Sequence, residues 1–160
     1  MKVFQRIRVF SYLECVRNVA NYKGNSKIAI ISLQDANGFG FQFVPSRNVV
    51  DVLTIYCDDA DTERKTICAE KRSDFESVSK QMKLFSADDA NNVLNFVNKN
   101  KDIVDEIWVH CYAGVSRSQA TAAAISKFFF NDDDVYFRAG VPNRRIYRMI
   151  LEAFFTQDNQ

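Results

Sequence analysis

The sequence predicts an α/β domain: a central, mostly parallel sheet of about four to five strands flanked by helices. Three observations carry this. A strand–helix–strand pattern opens the chain. Short apolar runs recur with the length of buried strands. The last of these runs feeds a glycine-bearing turn that leads directly into a helix.

Residues 3–10 (VFQRIRVF) read as the first strand. Ser11 followed by Glu14 is the S-x-x-E capping box that opens a helix. Leu13, Val16, Val19 and Ala20 then recur at helical spacing to about Tyr22, and Lys23-Gly24-Asn25 stops it. Residues 27–33 (KIAIISL) read as a buried strand, completing a β-α-β opening typical of a mostly parallel sheet. Phe39, Phe41 and Phe43 alternate around two glycines within 37–44 and predict an extra edge strand or hairpin arm. Residues 49–56 (VVDVLTIY) are another buried strand, ending in Asp58-Asp59-Ala60-Asp61.

The charged stretch 62–83 reads as an insertion, with Ser73 and Glu76 as a second capping box and Phe75, Val78 and Met82 as a weak apolar face. Phe85 and Ala90 are spaced as a hydrophobic staple around a helix opened by Ser86, with Ala90, Val93, Leu94 and Val97 inward. Residues 107–110 (IWVH) are a short strand, and 118–130 a helix whose alanines permit close approach to a sheet. The acidic cluster 132–134 reads as a surface turn. Pro142-Asn143 opens a final helix with Ile146, Tyr147, Ile150, Leu151 and Phe154 on one face, Asn143 serving as N-cap. No repeat or low-complexity linker divides residues 1–160, so one domain is expected.

The 21 basic residues nearly cancel the 20 acidic ones, giving a net charge of +1, so bulk electrostatics offers nothing to nucleic acid or an acidic membrane. The opening MKVFQRIRVFSYLEC has no apolar signal core, and a cytoplasmic location without membrane contact is expected. Cys15, Cys57, Cys68 and Cys111 form no C-x-x-C pair, and His110 is the single histidine, so no metal or other cofactor is expected. Cys15 and Cys57 read as small buried hydrophobes.

The segment His110-Cys111-Tyr112-Ala113-Gly114-Val115-Ser116-Arg117-Ser118 concentrates the chemistry. A turn feeding a helix start aims backbone N–H groups of residues 112–116 into one hollow, and the helix dipole adds positive character there. Gly114 supplies the backbone freedom of a tight wrap. Arg117, six residues after Cys111, can grip two phosphate oxygens bidentately. A sulfur at the base of such a field would be ionised at neutral pH. The Ser118 hydroxyl is placed to steady that sulfur as a leaving group, and His110 to orient the loop. Thiolate, oxyanion cradle and arginine together are a device for phosphoryl transfer through a cysteinyl-phosphate.

HCYAGVSRS resembles the H-C-x-x-G-x-x-R-S signature of the cysteine-dependent protein tyrosine phosphatases, and the chain resembles their small, bacterial, dual-specificity-like branch. The likeness is tightest over 107–127 and extends to the β-α-β start and the final PNRRIYRMI. It implies metal-independent hydrolysis of phosphotyrosine, with phosphoserine and phosphothreonine as further substrates, on phosphorylated proteins or peptides. It also implies a general acid on a loop. Asp58, Asp59 and Asp61 are the candidates, with Asp59 the choice. Asp59 lies 52 positions before Cys111, farther than usual for that branch, and Asp88 and Asp89 are rivals in a helix first turn. The alternative from another class is a pseudophosphatase that binds phosphopeptides without turnover. A reversible disulfide of Cys111, with Cys57 as the candidate partner, would be a redox control.

Overall fold

The computed structural model describes residues 3–38, 40, 42–61 and 82–160. Four strands, β1 (Arg6–Phe10), β2 (Ile28–Gln34), β3 (Val49–Tyr56) and β4 (Glu106–His110), form one sheet in the order β1-β4-β2-β3. All three pairings are parallel, with Ile7 opposite Ile107, Ala29 opposite Ile107 and Ile31 opposite Leu53. The central strands β2 and β4 are covered on both faces, which is why IAIISLQ and IWVH read as unbroken buried runs.

Alternation along the strands sorts two cores. Ala29, Ile31, Leu33, Ile107 and Val109 face one side, under α2 (Ala87–Asn100), α3 (Arg117–Phe130) and α5 (Arg144–Asp158). Ile28, Ile30 and Trp108 face the other, with Phe10, Phe43 and, from α1 (Tyr12–Ala20), Cys15. Trp108 is fully buried, its ring against Phe10 and Tyr22 and its Nε1 donating to Glu106 Oε2 at 2.7 Å. The alanine-rich α3 is buried along Arg117–Ser126 because its small side chains let it lie between the sheet and α5.

Both capping boxes of the described helices are built: Ser11 with Glu14 on α1, and Ser86 with Asp89 on α2. Asp89 therefore serves its own helix. Asn143 caps α5 by accepting the Ile146 N–H at 3.1 Å.

The structure differs from the sequence expectations in three places. On α1 the buried anchor is Cys15, while Leu13 and Ala20 are exposed, because the helix is phased by Tyr12, Cys15, Val16 and Val19. Residues 37, 38, 40 and 42–44 form no strand, so β3 is one edge of the sheet among the described residues, and Phe43 instead packs on the His110 ring. The acidic cluster leads into a short helix, α4 (Asp134–Ala139), with no buried residue. Phe39, Phe41, Cys68, the Ser73–Glu76 capping box with Phe75 and Val78, and most of the proposed 62–83 insertion lie outside the described residues. No helix among the described residues is long and apolar enough to cross a membrane.

Candidate active site

β4 delivers His110 and Cys111 to the carboxyl edge of the sheet, and the chain wraps from there into the first turn of α3 at Arg117. The wrap is held from outside through its carbonyls. That of Tyr112 accepts the Tyr12 N–H at 3.0 Å, Val115 that of Val141 at 2.9 Å, and Ser116 that of Asn143 at 3.3 Å. Gln119 Nε2 donates to the Gly114 carbonyl at 3.1 Å. A trans peptide points its N–H opposite its C=O, so tying these carbonyls outward turns the following N–H groups toward the enclosed side. The Gly114 N–H reaches the Cys111 sulfur at 3.2 Å.

Gly114 has φ +72°, and an added Cβ would lie 2.7 Å from the Ser11 nitrogen and 2.8 Å from the Phe10 carbonyl carbon. The loop is thus stacked directly on the β1–α1 junction, with no room for a side chain. Gly114→Ala is expected to cost about 2 kcal/mol of stability, read by urea unfolding, from left-handed strain plus backbone overlap. An alanine variant as stable as wild type would contradict this packing.

The Cys111 sulfur is buried at the base of the wrap, with Ser118 Oγ at 3.1 Å, as the spacing predicts. The His110 ring lies behind it. The Cys111 carbonyl can only accept, so Nδ1 carries the ring proton and donates to it at 3.2 Å. In the neutral ring Nε2 then accepts from the Ser32 hydroxyl at 2.6 Å, while Gln34 Nε2 donates to Ser32 Oγ at 3.0 Å. Burial, joined by the Arg117 charge, lowers the pKa of His110 and favours the neutral ring, although the bond to the Cys111 carbonyl acts the other way.

Arg117 is almost fully buried, at 4% exposure. Its Nη1 donates both to the Cys57 carbonyl and to Asp35 Oδ1, each at 2.7 Å. Burial opposes its charge, but Asp35 and the Cys111 sulfur outweigh burial and raise its pKa. Its Nε has no partner among the described residues, and this nitrogen belongs to the edge of the guanidinium that Nη1 does not use. Nothing in the sequence marks Asp35 beyond its being an acid directly after a buried strand. Asp35→Ala should free the guanidinium to swing and weaken binding of an inorganic oxyanion such as vanadate about tenfold. Asp35→Asn, which keeps an acceptor at the same place, should retain most of the affinity. Equal losses in both would show that the carboxylate charge, not the anchoring, matters.

The five candidate acids separate cleanly. Asp58 ties the turn after β3 to two distant segments, accepting the Ala36 N–H just past β2 at 3.2 Å and the Lys83 N–H at 2.9 Å. Asp61 accepts the Arg144 N–H at 3.1 Å. Asp88 is exposed and Asp89 caps α2. Asp59 bonds to the wrap, accepting from Ser116 Oγ at 2.9 Å, and to the start of α5, accepting from Asn143 Nδ2 at 3.0 Å. Arg145 donates to the Phe85 carbonyl at 3.0 Å, tying α5 to the start of α2. A cleft of about 180 Å³ opens beside Cys111 and Tyr112, with Tyr12, Leu33, Asp35 and His110 among its walls. The described cysteines form no disulfide, and burial pushes the Cys57 thiol up to about 12, leaving it protonated.

Fold and wrap together define a parallel α/β domain that encloses a buried cysteine with inward N–H groups and an anchored arginine. No family model matches the sequence, and no curated protein does. Solved structures do match. The human tyrosine phosphatase-like serine/threonine/tyrosine-interacting protein aligns at 14% identity over 94% of this chain and 92% of its own, with a TM-score of 0.53. DUSP15 aligns at 14% identity over 98% and 88%, with a TM-score of 0.56. The Cydia pomonella PTP-2 phosphatase aligns at 18% identity over 92% and 85%, with a TM-score of 0.54. The chain has the fold of the dual-specificity and tyrosine phosphatases.

Proposed function

We propose that this protein hydrolyses phosphomonoesters on phosphorylated proteins or peptides, phosphotyrosine foremost, through a cysteinyl-phosphate on Cys111. The observation that supports this most is the wrap itself: the carbonyls of Tyr112, Gly114, Val115 and Ser116 are held outward, so the N–H groups of Ala113, Val115, Ser116 and Arg117 face an oxyanion above the Cys111 sulfur, while the Gly114 N–H points at that sulfur. The Cys111 thiolate attacks phosphorus, the ester P–O bond breaks, and Asp59 gives its proton to the departing oxygen. Arg117 and the N–H groups hold the equatorial oxygens as charge moves through the transition state. Asp59, now a carboxylate, takes a proton from water. The water oxygen attacks phosphorus, the S–P bond breaks, and inorganic phosphate leaves with Ser118 Oγ stabilising the returning thiolate. The cleft beside Cys111 and Tyr112 is of a size to take one aromatic ring.

Hydrolysis of para-nitrophenyl phosphate by the intact protein, in reductant and chelator, tests the reading. Vanadate-sensitive turnover is the expected result. The human neighbour is named as phosphatase-like and interacting. Tight vanadate binding with no turnover would therefore move this chain to the phosphopeptide-binding alternative.

A further inference from the structure

We infer that Asn143 is the positioning residue of the acid loop: its side-chain amide docks Asp59 on the wrap and fixes which carboxyl oxygen delivers the proton. This rests on the reading of Asp59 as the acid. Asn143 is 1% exposed and uses its polar groups in three directions. Its Oδ1 accepts the Ile146 N–H and starts α5, its backbone N–H holds the Ser116 carbonyl, and its Nδ2 donates to Asp59 Oδ1. An N-cap needs only the first of these.

The geometry has a chemical consequence. Ser116 Oγ and Asn143 Nδ2 both donate to the same oxygen, Oδ1, while Oδ2 makes no hydrogen bond among the described residues. Two donors on Oδ1 hold negative charge there, so in the acid form the proton sits on Oδ2. Asp59 is exposed, and an exposed carboxyl on a loop would otherwise sample many rotamers. A buried amide on a helix start supplies a fixed point for it. The same amide couples the acid to the wrap, because Asn143 and Ser116 are bonded to each other through the backbone.

The charged and titratable groups grouped about Asp59 are Asp58 and Asp61 on its own loop, Cys57 at the end of β3, Cys111 and Arg117 of the wrap, Asp35 and Asp89 behind them, and Arg144 and Arg145 at the start of α5. None of these supplies a hydrogen bond to Asp59 among the described residues, so exchanging Asn143 alters its immediate partners selectively.

Two variants test the inference. Asn143→Asp keeps an acceptor for the Ile146 N–H and sets a second carboxyl against Asp59. The two then share a proton, and the alkaline limb of the kcat/KM profile moves to higher pH. Asn143→Ser keeps the cap but removes the amide donor. With the acid poorly aimed, kcat/KM for phenyl phosphate, whose leaving group needs the proton, is expected to fall about tenfold or more, and that for para-nitrophenyl phosphate much less. Equal losses on the two esters in Asn143→Ser, with an unmoved limb in Asn143→Asp, would make Asn143 a helix cap only and overturn the inference. Asp59→Asn run alongside separates the two claims. If it leaves the alkaline limb intact, the acid lies elsewhere and the underlying reading fails first. If it removes the limb while the Asn143 variants behave like wild type, only the docking role fails.

Discussion

Cys111→Ser should lower turnover of any phosphomonoester by about 10⁴-fold or more while leaving vanadate or phosphate binding largely intact. The two halves of the result come from different atoms. Turnover requires a sulfur nucleophile that is also a competent leaving group, and a serine oxygen in the same place is neither ionised nor easily expelled. Binding comes from the wrap and from Arg117, whose anchors are the Cys57 carbonyl, Asp35 and the carbonyl ties to Tyr12, Gln119, Val141 and Asn143. None of these involves the Cys111 side chain. The measurements are steady-state hydrolysis and calorimetric titration with vanadate. A serine variant that loses the oxyanion too would mean that the sulfur holds the wrap open, and one that still turns over would place the chemistry elsewhere.

Asp59→Asn should cost about 10²- to 10³-fold in kcat/KM for phenyl phosphate and remove the alkaline limb of its pH profile. The sign follows from the role. A general acid must carry its proton, so wild-type kcat/KM falls as rising pH strips the carboxyl, whereas an amide has no proton to lose and its smaller rate stays flat through that range. The loss on para-nitrophenyl phosphate should be smaller, since that leaving group departs with little help. Asn at this position can still accept from Ser116 and Asn143, so the loop stays docked and the effect isolates the proton. The same change at Asp58 should instead loosen the loop through its bonds to Ala36 and Lys83, with no selective effect on the alkaline limb.

Much of the frame was legible because local rules and global packing agree. β3 is read at its observed bounds, Val49–Tyr56, since a bare apolar run between polar segments has few alternatives to a strand. The helix starts at Ser11, Ser86 and Asn143 are local hydrogen-bond patterns and show as such. The Cys111–Ser118 relation spans seven residues of one loop, and its geometry is nearly dictated by the turn into a helix. What stayed hidden is what distance in sequence conceals. Asp35 pairs with Arg117 across the sheet edge, and Asn143 reaches Asp59 over a separation of 84 residues. Their residue types are ordinary, an acid after a strand and an amide before a helix, and only the fold gives each its second partner. The phase of α1 departs from its sequence pattern for a different reason. Cys15 is a small side chain that periodicity weighs lightly, yet it is the fully buried contact, while the larger Leu13 stands in solvent. The acidic residues 132–134 read as a turn because α4 has no buried face to give it a periodic signature.

A covalent phosphoryl group on Cys111 is trapped by rapid acid quench of the intact protein during turnover of a phosphotyrosine peptide, followed by peptide mapping. The expected result is a phosphorylated peptide containing Cys111 that appears before steady state, decays when substrate is exhausted, and is absent in Cys111→Ser. Turnover with no such adduct, or with phosphate trapped on another residue, would contradict it.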